Sequence, residues 1–155
     1  MTLTLDDFLW YVDDCLDAML DIVTGLGDDL ANRALEAPGS NSPYAILTHC
    51  LGVVEWWSGE MVAGVDVERD RDAEFVAHGP VAALRDAVRR TRARLVENLA
   101  ALASAAPPAR PGDPELLEYP YGRTQGGVLL HVFHELAQHR GQMEVTRDVL
   151  LHQAR

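Results

Sequence analysis

His131, His134, Glu135 and His139 crowd into the segment Gly126–Asp148, with Gln142 close behind. Imidazole nitrogens and carboxylate oxygens together suit zinc, nickel or iron. Spacing decides which of them can share an ion. An α-helix turns about 100° per residue, so Glu135 and His139, four apart, stand roughly 40° from each other on one face. His131 lies one turn before Glu135 on that face, and Gln142 continues it about 20° to the other side. His134-Glu135 followed by His139 resembles the H-E-x-x-H pattern of zinc proteases, but the second His comes one residue late. His134 and His139 are about 140° apart on a regular helix and cannot grip the same ion, so His134 is expected to point elsewhere.

Two ligands do not complete a site. Zinc enzymes use three protein ligands and keep a fourth position open. The third is expected from a neighbouring helix, and the candidate is His49, set in the apolar stretch Ile46-Leu47-Thr48-His49-Cys50-Leu51. A lone His on an apolar face is more often a hydrogen-bonded core residue. Glu135 and His139 facing the same interior change that balance toward a His49/Glu135/His139 metal site. Val53 and Trp56 share the face of His49 and would set an aromatic wall beside the ion, a small-molecule pocket. Glu55 lies on another face. Cys50 points about 100° away from His49 and reads as an inert small hydrophobe.

The elements that must position these groups are helices. No strand-like alternation stands out, and four segments carry helical period. The first runs from Leu5 to about Thr24, with Phe8, Val12, Cys15, Leu16, Met19 and Val23 in its apolar stripe and Gly25 and Gly27 ending it. The second starts at Ser42 as N-cap with Pro43 in the first turn, and runs to about Ala63, where Gly64 stops it. Gly52 sits inside it at a cost in helix propensity, which a close helix–helix approach would explain. The third follows Gly79-Pro80, with Val81, Leu84, Val88, Thr91, Leu95 and Leu99 inward and the arginines at 85, 89, 90, 92 and 94 mostly outward, a solvated face paired with nearby acids. The fourth runs from Gln125 to about His152 with Thr124 as cap. Residues 104–123, rich in Pro and Gly, form a long loop in which Tyr119 and Tyr121 line a pocket or cover the bundle. The fold class is all-α: a four-helix bundle in one domain, 1–155, with loops long enough for a crossover connection.

Composition narrows the function. The net charge of −11 over 155 residues repels the phosphate backbone, so nucleic acid is not an expected partner, and anionic membrane surfaces are disfavoured likewise. No apolar run approaches the ~18 residues of a membrane span. Two cysteines are too few for a disulfide framework, and no signal peptide precedes the first helix, so the expected location is the cytoplasm, with reduced thiols. All 13 basic residues are Arg, as GC-rich codon usage produces.

The segment His49-Cys50-Leu51-Gly52-Val53-Val54-Glu55-Trp56-Trp57 resembles the first signature of the DinB-like superfamily. Leu130-His131-Val132-Phe133-His134-Glu135-Leu136-Ala137-Gln138-His139-Arg140-Gly141-Gln142 resembles the second. The likeness is nearest to the N-terminal metal-binding domain of mycothiol-dependent maleylpyruvate isomerase, which has Glu where many members have His at position 135 and carries a late Arg matched by Arg147. It spans essentially the whole chain.

The resemblance implies a four-helix bundle with His49, Glu135 and His139 on one divalent metal, zinc being favoured over nickel or iron. It also implies a homodimer, and a low-molecular-weight thiol of the mycothiol type as co-substrate. The expected activity is S-transfer to, or isomerisation of, a small electrophile packed against Trp56. Gln142 or Arg147 would orient the thiol or substrate, and His131 would stand behind the ligands. Isomerase-type members carry a further C-terminal domain that these 155 residues lack, which weakens isomerisation but not the metal site. The competing expectations are a non-catalytic metal-binding or stress-response bundle and a hydrolase using bound water.

Overall fold

The computed structural model describes residues 4–110 and 114–154. Its elements are α1 (Leu5–Ala31), α2 (Pro43–Trp56) with a π-helical continuation (Trp57–Ala63), α3 (Arg71–Phe75), α4 (Val81–Asn98), a 3-10 turn (Pro114–Glu118), α5 (Pro120–Arg123) and α6 (Gln125–Gln153). The four long helices, α1, α2, α4 and α6, make the expected all-α bundle. Among the described residues no helix is long and apolar enough to cross a membrane.

Local chemistry explains the ends. Thr4 and Asp7 cap α1 reciprocally: the Thr4 hydroxyl accepts from the Asp7 N–H, and the Asp7 carboxylate accepts from the Thr4 N–H. Only one of the two glycines expected to end this helix interrupts it. Gly25 stays helical, whereas Gly27 takes φ 69° and ψ 173°, a conformation that costs glycine little, and the chain then resumes helix to Ala31. The added turn has tertiary work. Asp28 accepts from the Val81 N–H, and Asn32 both donates to and accepts from the Gly79 backbone, tying the end of α1 to the start of α4.

Ser42 and Pro43 begin α2 as expected, the Ser42 hydroxyl accepting from the Ala45 N–H. The helical run does reach Ala63 and stop at Gly64, whose φ is 71°. Its last part widens into π-helical turns that the periodicity did not disclose. The Thr124 hydroxyl caps α6 by accepting from the Gly127 N–H. The long connection before α6 is not wholly irregular, since it contains the 3-10 turn and α5; its residues 111–113 lie outside the described part.

The connectivity departs from simple up-and-down order. α1 packs mainly on α6 and α4, α2 packs on α4 and α6, and α4 and α6 do not touch. The last two therefore face each other across the bundle, and α1 meets α2 across the other diagonal. Two connections, 32–42 and 99–124, cross diagonals where one crossover was expected. The result that matters is that α2 lies directly beside α6.

The core contains the α1 stripe from Phe8 to Val23, the whole expected stripe of α4, and Val128, Val132, Leu136, Met143 and Leu150 of α6. α2 is buried nearly all round, which is why its sequence lacks a polar face. Three of the five arginines of α4 are paired with acids as expected: Arg89 meets Asp86, Arg92 meets Asp13 and Asp17, and Arg94 meets Glu55. Leu16→Ala, at a fully buried position far along the chain from the histidine-bearing segments, should cost about 2–5 kcal/mol in urea unfolding while leaving the helical circular-dichroism signal of the folded state intact.

Candidate metal centre

His49 sits on α2 only 3% exposed, with one face of its ring stacked on Phe75 of α3 at 4.5 Å. A buried imidazole needs partners for both nitrogens. Nδ1 donates to Glu74 Oε2 at 2.8 Å. A carboxylate there can only accept, so the proton is on Nδ1 and Nε2 carries a lone pair. His139 repeats the arrangement on α6: its Nδ1 donates to Gln142 Oε1 at 2.9 Å, and in the neutral ring this puts the lone pair on Nε2.

Both free Nε2 atoms face the same carboxylate oxygen, Glu135 Oε2, at 4.0 Å from His49 and 3.7 Å from His139. These separations are too long for hydrogen bonds. They are close to the roughly 3.4 Å that separates ligand atoms around a tetrahedral ion with bonds of about 2.0–2.1 Å. Burial also holds the His49 pKa below its ordinary value, outweighing the hydrogen bond to Glu74 that pulls it up. Two imidazole nitrogens and a carboxylate oxygen gathered in this way form a set that could hold a divalent cation.

Glu74 and Arg69 were not anticipated. Glu74 is buried, and Arg69 neutralises it through Nε to Oε1 at 2.7 Å and Nη2 to Oε2 at 2.9 Å. Leaving such a carboxylate unpaired in the interior would cost about 3–5 kcal/mol. The mid-helix glycine of α2 belongs to the same device. A Cβ on Gly52 would fall 2.0 Å from Glu74 Oε1, so what approaches closely there is a side chain from α3 rather than another helix backbone. One signal was readable: Asp70 followed by Ala73 marks a helix cap, and the Asp70 carboxylate does accept from the Ala73 N–H.

The other expected site residues fall as follows. Trp56 borders a cavity of about 330 Å³ that is also lined by His49, Val53, Trp57, Arg69, Arg71, His131 and Glu135. Trp56 ends α2 and Trp57 opens its π-helical continuation, and both line this cavity. His131 packs edge-on to Trp57 at 4.5 Å and against Tyr121 at 4.3 Å, so Tyr121 buttresses the cavity wall from behind. Gln142 is engaged with His139 rather than with the cavity.

Arg147 is not brought to this place. It lies two turns beyond His139, pairs with Asp148, and lines a separate hollow between α1 and α6 with Asp21 and Glu144. His134 stays outside the buried set, as its angular offset requires, and instead gathers with His131 and Glu135 in a more exposed group along α6. Glu55 accepts from Thr91 and pairs with Arg94, a tie between α2 and α4. Cys50 is fully buried, and burial together with the nearby Glu135 charge pushes its thiol pKa far up, so it remains a neutral hydrophobe.

A family model described as mycothiol-S-transferase matches residues 7–151, a span that includes every residue of the cluster and both Gly52 and Glu74. The chain belongs to the mycothiol-S-transferase family. That family lies within the DinB-like superfamily, in agreement with the two signatures. A comparison with curated proteins finds no match. Membership in the mycothiol-S-transferase family suggests a transferase acting with a small thiol, and its description names S-transfer, not isomerisation.

The orienting role of Glu74 can be separated from its effect on folding. Glu74→Gln and Gly52→Ala should each weaken zinc binding about 10–100-fold in competition with a chromophoric chelator. Gly52→Ala should do so without loss of helix stability, because alanine favours a helix interior by about 1 kcal/mol over glycine.

Proposed function

We propose that this protein is a metal-dependent S-transferase that joins a low-molecular-weight thiol of the mycothiol type to a small electrophile. The observation that carries the proposal is the convergence of His49 Nε2, His139 Nε2 and Glu135 Oε2 at the edge of an aromatic cavity. Family membership supports the thiol half of it. Two neutral imidazoles and one carboxylate suit zinc, with nickel and iron as chemical relatives, and a three-ligand set keeps a coordination position open.

A divalent ion held by His49, Glu135 and His139 would supply net positive charge that favours the thiolate form of an incoming thiol near neutral pH. Glu74 and Gln142 keep both imidazoles in the tautomer that turns Nε2 toward the ion. Val53, Trp56 and Trp57 give the electrophile an apolar wall and keep water from that side. The thiol gives up its proton to solvent, its sulfur attacks the electrophilic carbon, a C–S bond forms, and the bond to the leaving group breaks with the electron pair going to that group. The nucleophile has to come from outside the chain: Cys15 and Cys50 are both buried, and burial raises the pKa of each thiol.

The test is conjugation of mycothiol, or a cysteine-derived stand-in, with a chlorobimane by the zinc-loaded protein. His49→Ala and Glu135→Gln should each lower the rate by about 100-fold or more, since direct ligands matter at least as much as the partners that orient them. Metal content of each variant should fall in parallel by elemental analysis. Equal rates for wild type and His49→Ala would place the chemistry elsewhere.

A further inference from the structure

Two arginines line the cavity beside the metal cluster, and only one of them is committed. Arg69 is held by Glu74 through two hydrogen bonds of 2.7 and 2.9 Å. Arg71 forms no ion pair among the described residues, although it lies between two acids in sequence. Asp70 spends its carboxylate on the cap of α3, accepting from the Ala73 N–H at 3.0 Å. Asp72 follows on the helix and points about 100° away.

What holds Arg71 is Phe75, one turn on, whose ring centroid lies 5.2 Å from the guanidinium carbon. The same ring stacks on His49 at 4.5 Å. A guanidinium resting on an aromatic face keeps its N–H donors free for another acceptor. The surroundings sharpen the point. The chain as a whole carries a net charge of −11, a field that opposes an approaching anion, and Arg71 is a cation at the cavity with no carboxylate against it among the described residues. Arg147, the late arginine, lines a different hollow.

We propose that Arg71 is the specificity-determining residue of this cavity and selects an electrophile that bears a carboxylate beside its reacting carbon. The planar guanidinium receives that carboxylate through paired N–H bonds, while the reacting carbon is turned toward the cluster of His49, Glu135 and His139. The proposal rests on the reading of the cavity as the substrate site, and the experiment keeps the two apart.

Binding is measured first, without turnover. Benzoate and benzamide are titrated into the full chain carrying Trp10→Phe, zinc-loaded and after chelation, so that the tryptophan fluorescence followed is that of Trp56 and Trp57. Wild type should prefer benzoate by about tenfold, the size of one charge-assisted hydrogen bond, R71Q should lose that preference, and R71K should keep part of it. Turnover follows with iodoacetate and iodoacetamide, which differ only in the carboxylate, using one thiol throughout. The ratio of their kcat/KM values should fall about tenfold in R71Q.

A benzoate preference that R71Q abolishes, in a protein that conjugates neither electrophile, upholds the anion site and removes the transferase reading. Conjugation with the same iodoacetate-to-iodoacetamide ratio in wild type and R71Q overturns the role of Arg71 and leaves the transferase reading in place. A carboxylate preference that follows the thiol instead, seen by exchanging N-acetylcysteine for its amide, also overturns it.

Discussion

The hydrogen bond from the His49 imidazole to the Glu74 carboxylate is the constraint around which the site is organised. It lies inside the protein, where neither group can be left without a partner. Glu74 stays there because Arg69 supplies the opposing charge from the same segment, and because α2 has no side chain at Gly52. The short stretch between Gly64 and α4, which contains the five-residue α3, thus sets the tautomer and ring direction of a residue about two turns into α2. Phe75, on the same turn, adds the stacking surface.

The bundle topology supplies the other half. Because 32–42 and 99–124 cross diagonals, α2 and α6 become neighbours although α3 to α5 come between them in the chain. His49 on one helix then meets Glu135 and His139 on the other. The α6 groups need no partner helix to be aligned, since four residues of helix place them on one face and Gln142 orients His139 from the same helix. The α2 group needs everything else: a neighbour to face, a carboxylate from α3, and space at position 52. The two consecutive tryptophans at the junction of α2 with its π-helical continuation both line the cavity.

Much of this was legible in the sequence. Ser42-Pro43, Thr124, Gly64 and the stripe of α4 marked helix ends and faces correctly, because caps and apolar periodicity are local properties. The DinB-like signatures pointed to the family that the match over residues 7–151 shows. Helix geometry likewise placed Glu135 and His139 on one face of α6 and His134 away from His139. Gly27 was harder, since Gly25 and Gly27 look alike as stop signals, and only the contacts of Asp28 and Asn32 with the start of α4 show why helix resumes after the break.

What the sequence determined by itself, then, is everything that depends on spacing along one helix: where helices begin, which face is apolar, and which ligating groups share a turn. Tertiary structure alone decided which of the 24 acidic residues would meet His49, which two arginines would reach the cavity, and that Arg147 would not. The physical reason is that periodicity fixes an angle about a helix axis, whereas a contact between segments depends on the path of the connections. That path is chosen by the burial of all the helices together.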